Sequence, residues 1–237
     1  MSNSWFQFRQ FIIHQDRCAM KVSTDACIQG AWIPLPPNLR FGLDIGTGTG
    51  LLSLMIAQRA PDLHLDGIEL DPSAVSQATE NAAGASFGYN LKMHQADARQ
   101  WTAAQPYDLI ICNPPFFKNS LKGPDAARNA ARHTESLSPE ELLEIVLIHL
   151  APEGYVSLLW PPDSQEYFGG LAGNKGLFLR QQLLVQDRPG TRVNRSIAIY
   201  SRKDVLVPEI ETLIIKDDGG AYSASFKALM QPYYLHL

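Results

Sequence analysis

Phe41-Gly42-Leu43-Asp44-Ile45-Gly46-Thr47-Gly48-Thr49-Gly50-Leu51-Leu52 decides how this chain folds. A short run of strand character ends in a glycine-rich turn. Leu51, Leu52, Met55 and Ile56 then recur at helical spacing, which predicts a helix over 49–59. The same strand-then-helix unit repeats downstream. Residues 65–70 read as a strand, and Asp71-Pro72 as a helix start with proline at the first helical position, the helix running to 83. Residues 91–94 and 107–112 add strands. Ser138-Pro139-Glu140-Glu141 forms a capping box ahead of a helix reaching 150. Residues 155–160, 177–185 and 197–200 complete seven strands, with Leu213-Ile214-Ile215 as an edge piece. This alternation implies an α/β fold, a mostly parallel seven-stranded sheet with helices on both faces. Ligands in such sheets lie beyond the carboxyl ends of the strands, near the point where strand order reverses.

Upstream, Trp5-Phe6-Gln7-Phe8-Arg9-Gln10-Phe11 alternates as a strand does, and Met20-Lys21-Val22 can pair with it across the polar Gln15-Asp16-Arg17 turn. Thr24 or Asp25 can cap a short helix over 26–32, and Pro34, Pro36 and Pro37 form a linker. Residues 1–37 are thus expected to be a hairpin-and-helix extension, and 38–237 the main domain. The Tyr233-Tyr234-Leu235 tail is expected to pack on the sheet.

The 237 residues are 45% hydrophobic and 19% charged, ordinary for a folded protein and far from disorder. No apolar run approaches the roughly 20 residues that span a bilayer, and the N-terminus has no signal-peptide pattern, so a cytoplasmic location is expected. Cys18, Cys27 and Cys112 form no close pair and read as reduced thiols. His14, His64, His94, His149 and His236 lack metal-ligand spacing, and no metal is expected. Net charge is −4, unlike a strongly basic nucleic-acid binder. The distribution says more than the sum. Residues 175–203 carry Lys175, Arg180, Arg188, Arg192, Arg195, Arg202 and Lys203 against Asp187; the stretch after Phe116 carries Lys118, Lys122, Arg128 and Arg132 against Asp125. A polyanion could dock on these segments if they share a face; otherwise they are solvated surface charge.

The glycine turn admits three readings: a ligand-free turn, a dinucleotide site, or a nucleoside cofactor site. The dinucleotide fingerprint fails because Leu51 stands where its third glycine belongs, and no Gly-Lys-Ser/Thr marks a P-loop. Asp44 followed by Gly46, Gly48 and Gly50 resembles the first motif of the Rossmann-like methyltransferases that use S-adenosylmethionine. Glu69 ends the second strand, where a carboxylate can accept from ribose hydroxyls. Asp97 follows the third strand, and the resemblance gives it the adenine amino group. Each acid alone could be a surface residue; together they end three successive strands.

Asn113-Pro114-Pro115-Phe116 follows the fourth strand. By average residue usage this tetrapeptide arises by chance in roughly one chain per thousand of this length. An exocyclic amine on adenine has its lone pair delocalised into the ring. It needs no strong base, only acceptors that hold its two N–H bonds and favour the positive charge that develops. The Asn113 side-chain oxygen and the Pro114 carbonyl supply them, with Phe116 stacked on the base.

These residues resemble the amino-methyltransferases that carry Asn/Asp-Pro-Pro-aromatic, which act on adenine N6, on guanine N2 of ribosomal RNA, or on a glutamine amide of release factors. Phe6-x-Phe8-x-x-Phe11, Met20-Lys21-Val22-Ser23-Thr24-Asp25, Gly30-Ala31-Trp32 and Arg132-His133-Thr134 narrow the choice. With them the chain resembles the tRNA1(Val) adenine-N6 methyltransferase family, whose members modify adenosine 37 beside the anticodon. Cys27-Ile28-Gln29 departs from the more apolar run frequent in that family. The resemblance implies S-adenosylmethionine as cofactor and tRNA, through its anticodon loop, as partner of a monomer. It implies cofactor contacts from Thr24 and Asp25 at the methionine end, and from Asp44, Gly46, Thr47, Gly48, Gly50, Glu69, Leu70, Asp97, Ala98 and Asn113. Asn113, Pro114 and Phe116 are the expected catalytic residues. Pro115, Phe116, Phe117, Lys118, Lys122, Arg128 and Arg132 are expected to meet the substrate. A non-catalytic RNA-binding protein that retains the fold is the alternative of a different class.

Overall fold

The structure, a computed structural model, describes residues 3–114 and 137–237. An eight-stranded sheet runs through its centre in the order β10-β8-β9-β7-β6-β3-β4-β5. The strands are β3 (Phe41–Ile45), β4 (His64–Glu69), β5 (Leu91–Gln95), β6 (Tyr107–Cys112), β7 (Leu150–Trp160), β8 (Phe178–Gln186), β9 (Arg195–Ser201) and β10 (Glu209–Ile214). Pairing is parallel throughout β5-β4-β3-β6-β7 and again in β10-β8; β9 alone runs antiparallel to both its neighbours. The count exceeds the seven expected because the edge piece is a full strand. Glu209–Thr212 of β10 are exposed, so only Leu213 shows the apolar signal of a sheet residue.

Helices cover both faces. On one lie α1 (Thr24–Trp32), α2 (Leu51–Arg59) and the short α6 (Ala224–Met230), burying Ile28, Leu54, Met55 and Phe226 against Leu109, Ile111, Tyr155 and Ile199. On the other, α4 (Pro139–His149) and α5 (Pro162–Gly173) bury Leu142, Val146 and Phe168 against Leu43, Ile110, Leu158 and Tyr200. Leu43 and Ile45 of β3 face the second layer while Asp44 faces α2, as the two-residue period of a strand requires. α3 (Pro72–Ala83) begins at Asp71, whose side chain accepts from Ser73 N, with Pro72 at the first position as expected. The capping box at Ser138 and Glu141 also forms.

The N-terminal hairpin differs from the expected one. β1 (Trp5–Gln7) pairs with β2 (Ile12–His14), not with Met20-Lys21-Val22. The chain turns early because Phe8 and Phe11 are both buried and stack at 4.5 Å, with Phe8 N donating to Phe11 O. Val22 is held instead by a side chain, its N–H donating to Gln15 Oε1 at 2.8 Å. The cap of α1 is Ser23, whose hydroxyl accepts from Ala26 N, so Thr24 and Asp25 lie inside the first turn. The hairpin is fastened to α3 by Asn81: its side-chain oxygen accepts from His14 N, and its amide donates to His14 O and Thr49 O, each at 2.9 Å.

The tail packs on helices and on the N-terminal hairpin, not on the central sheet. Tyr233 is buried and donates to Met55 O of α2, and Tyr234 lies against Phe6, Phe8 and Phe226. α5 and α6 are absent from the expected elements. α5 carries adjacent Gly169 and Gly170, poor helix formers offset by the packing of Phe168 between Trp160 and Tyr200. α6 is short and rests on the Ser223 cap and Phe226. No helix among the described residues is long and apolar enough to cross a membrane.

Candidate active site

Register brings the site together. Ile45 on β3 is paired with Ile68 on β4 and with Cys112 on β6, so Gly46, Glu69 and Asn113 leave three adjacent parallel strands at one level. Strands lie about 4.8 Å apart. The chain proceeds from β3 outward to β4 and β5, then returns to β6 on the other side, so the switch in strand order falls between Gly46 and Asn113.

The loop after β3 needs its glycines. Gly46, Gly48 and Gly50 have φ of 71°, 55° and 78°, a region that side-chain-bearing residues avoid. A Cβ on Gly46 would meet nothing within 4 Å, so its flank is open to a bound group. Gly46 N and Thr47 N both donate to Ile68 O, which ties the loop to β4. Asp44 holds it from beneath. Its Oδ2 accepts from Thr47 Oγ1 at 2.8 Å and Ser53 Oγ at 2.7 Å, and the side chain is 1% exposed. Burial pushes the Asp44 carboxyl up to about 6, against the pull of those two hydroxyls.

Glu69 Oε2 accepts from Gly48 N at 3.1 Å, and its Oε1 accepts from Leu70 N and Asp71 N. Oε2, with a single partner among the described residues, keeps a lone pair for a ligand hydroxyl. Leu70 beside it is 46% exposed, an apolar surface next to an acid. Asp97 caps a short 3-10 turn over Ala98–Gln100 and is gripped by Arg99, whose Nε and Nη2 both donate to its carboxylate. The Arg99 hydrogen bonds hold the Asp97 carboxyl below its usual range. Arg99 also reaches Glu141 on α4 at 3.6 Å; its role had no motif in the sequence to announce it.

Asn113 is half-buried, and its Oδ1 is shielded from solvent without a hydrogen-bond partner among the described residues. A buried, unpaired acceptor is a cost to the fold unless something else fills it. Pro114 follows. Pro115, Phe116, Phe117, Lys118, Lys122, Arg128, Arg132, His133 and Thr134 lie outside the described residues.

Thr24 is exposed on the first turn of α1. Asp25 pairs with Arg195 at the start of β9, Nε to Oδ2 at 3.1 Å; burial raises its carboxyl and Arg195 works against that. The basic segment 175–203 does not share one face. β9 is antiparallel, so Arg188, Arg192 and Arg195 stand at the edge of the sheet where Asn113 emerges. Arg202, bonded to Leu147 O, and Lys203 stand at the far end of β9, roughly 20 Å off at 3.3 Å per residue. The 188–191 turn is tightly made: Thr191 N and Oγ1 both donate to Arg188 O, and Gly190 takes φ 72°.

An open-flanked glycine loop, an acid with a spare lone pair and an unpaired amide oxygen thus converge at the switch point. The set can hold a nucleoside-containing cofactor on one side and an amino group on the other. The fold recurs in solved structures. A predicted O-methyltransferase from Agrobacterium tumefaciens superposes with a TM-score of 0.66 at 18% identity, covering 88% of this chain and 96% of that one. A ribosomal protein L11 methylase from Lactobacillus delbrueckii subsp. bulgaricus gives 0.56 at 15%, covering 81% and 84%. The methyltransferase small domain family matches residues 34–151. Fold and site together define a Rossmann-like methyltransferase dependent on S-adenosylmethionine. Over 234 residues, the tRNA1(Val) (adenine(37)-N6)-methyltransferase of Pseudoalteromonas translucida (strain TAC 125) is 40% identical, across 99% of this chain and 100% of that protein. Its namesake in Yersinia pestis (strain Pestoides F) is 38% identical, across 98% and 94%. The chain belongs to the tRNA1(Val) (adenine(37)-N6)-methyltransferase family.

Proposed function

We propose that this chain transfers the methyl group of S-adenosylmethionine to N6 of adenosine 37 in tRNA1(Val), entering the anticodon loop in the cytoplasm. The observation that carries this reading is the buried, unpaired Oδ1 of Asn113, one strand away from the glycine loop. The family's full-length relatives supply the nucleoside and the position.

S-adenosylmethionine supplies an electrophilic methyl on a sulfonium. The chain's own residues do the rest. Glu69 Oε2 takes a ribose hydroxyl, and Leu70 with Ala98 flanks the adenine, whose amino group Asp97 accepts. Gly46 and Gly48 let the backbone approach closely, and Thr24 and Asp25 border the methionine end. Asn113 Oδ1 and the Pro114 carbonyl accept the two N–H bonds of the target amine. Their partial negative charge favours the positive charge that builds on nitrogen, so no general base is required. A proline at each of the two positions after Asn113 restricts the backbone that carries both acceptors, which limits reorganisation during the reaction. The proton leaves afterwards to water.

Bases in single-stranded loops are read by extrusion and stacking. In this reading Phe116, with Phe117 after it, stacks on the base, and Lys118, Lys122, Arg128 and Arg132 meet the phosphates. Arg188 and Arg192, at the sheet edge where Asn113 emerges, offer further charge for the RNA backbone. Residues 1–37 serve as an extension that brings α1 to the cofactor, and 38–237 as the catalytic domain.

The test uses unmodified tRNA1(Val) transcript and cofactor labelled in the methyl group. Label is expected in N6-methyladenosine at position 37, and none in a transcript with guanosine there. Label only in ribosomal RNA or in a release factor overturns the reading.

A further inference from the structure

We propose that Gln29 of α1 is a positioning residue for the acceptor clamp, acting on Asn113 through the peptide bond that precedes it. The proposal rests on the methyl-transfer reading above and adds a residue that the reading does not include.

Gln29 is fully buried. Its Nε2 donates to Cys112 O at 3.2 Å, and to Ser157 O and Ser157 Oγ at 3.3 Å. Cys112 O and Ser157 O can only accept, so the amide orientation is fixed by its partners. Its Oε1 has no partner among the described residues. Burying an amide with one end unpaired is a cost; methionine or leucine would fill similar volume without it but would leave the Cys112 and Ser157 oxygens without the Gln29 donor. The two costs are of one size, so stability alone is a weak reason for an amide here.

Its contacts give a better one. Cys112 is the last residue of β6, and its carbonyl shares a rigid plane with the N–H of Asn113. Pinning that oxygen fixes the plane from which the Asn113 side chain departs. Ser157, on the neighbouring β7, gives the same amide a second fixed reference point in the sheet. The helix that carries Gln29 is itself packed closely against α2. A Cβ on Gly30 would fall 2.8 Å from Met55 Sδ, so the two helices touch there, and Arg59 of α2 donates to Gly30 O and Ile33 O. Asp25, one turn earlier, is tied to Arg195. A clamp tolerates little misplacement, since sub-ångström errors in aligned acceptors lower turnover more than binding. The N-terminal extension thereby reaches the catalytic strand end with one side chain, 83 residues away in sequence.

Gln29→Met and Gln29→Leu remove the donor and keep the bulk. Both are expected to lower kcat on tRNA1(Val) by about tenfold, with KM for tRNA and Kd for S-adenosylmethionine within about twofold. The melting temperature should fall by no more than about 10 °C, leaving the protein folded at the assay temperature. A kcat within twofold of the parent, or a fall matched by an equal loss of cofactor affinity, overturns the proposal. A second measurement needs no activity. In cofactor-free protein labelled with 15N-asparagine, the Asn113 amide resonance should shift and broaden in Gln29→Met while those of Asn81 and Asn194 stay put. An unmoved Asn113 resonance also overturns it. An inactive parent enzyme with a shifted Asn113 resonance would instead count against the tRNA reading alone.

Discussion

Gly48 donates its backbone N–H to Glu69 Oε2 at 3.1 Å, so the acid at the end of β4 braces the glycine loop at the end of β3. Glu69 therefore does two jobs, and the second is invisible in a list of cofactor contacts. Glu69→Ala should lose both the brace and the hydroxyl acceptor, weakening S-adenosylmethionine binding by about tenfold to a hundredfold, or about 1.4–2.7 kcal/mol. Calorimetric titration reads this directly; affinity within twofold of the parent contradicts it.

Asn113→Ala separates catalysis from binding. Turnover should fall by about 10²–10³, the scale for one aligned acceptor or donor in a transition state. Cofactor affinity should stay within about threefold. Because Oδ1 has no partner among the described residues, its loss should not lower the melting temperature. Single-turnover kinetics with a thermal melt check all three, and near-normal turnover removes the clamp from the mechanism.

The split of the basic segment gives a paired test. Arg188→Glu with Arg192→Glu should weaken tRNA binding by about tenfold or more and flatten its salt dependence. The exposed pairs of these two arginines, with Asp187 and Asp163 at 3.7 Å, are weak enough to exchange for phosphate. Arg202→Glu with Lys203→Glu, at the other end of β9, should leave binding within about twofold. Equal losses in both double variants would mean that RNA covers more than the mouth of the site.

Asp44 sets a pH dependence. Burial raises its carboxyl from 3.8 to about 6. Between those values the folded chain holds a proton that the unfolded chain has released. Stability from this group is thus greatest below about pH 4 and is lost as pH rises towards 6, levelling off above. The difference in unfolding free energy between the parent and Asp44→Asn should fall across that window by on the order of 2–3 kcal/mol. Urea melts from pH 4 to 7 measure it, and a constant difference excludes the shift.

Elements with a strong local signal were legible in the sequence. The runs 107–112 and 72–83 stand where they were expected, the first because its apolar run is buried in both layers, the second because Asp71-Pro72 marks its start. β10 was read as a fragment because an exposed edge strand needs no apolar face. α5 was missed because two glycines hide a helix that tertiary packing rescues. Met20-Lys21-Val22 looks like a strand, but the early Phe8–Phe11 turn had already supplied β1 with a partner. At the candidate site, Gly46, Glu69 and Asn113 could be singled out from the sequence because each stands at a strand end in its own local motif. Gln29, Arg99 and the Asp25–Arg195 pair were not. Their meaning depends on partners that only β-register and helix packing bring near.

Asn81 grips the hairpin through the main-chain N–H and C=O of His14 and ignores its imidazole. A latch that reads only peptide groups is indifferent to what the hairpin is made of. Any residue that keeps a main-chain N–H at position 14 preserves the latch, whereas replacing Asn81 by an apolar side chain lets go of both the hairpin and Thr49 in the glycine loop.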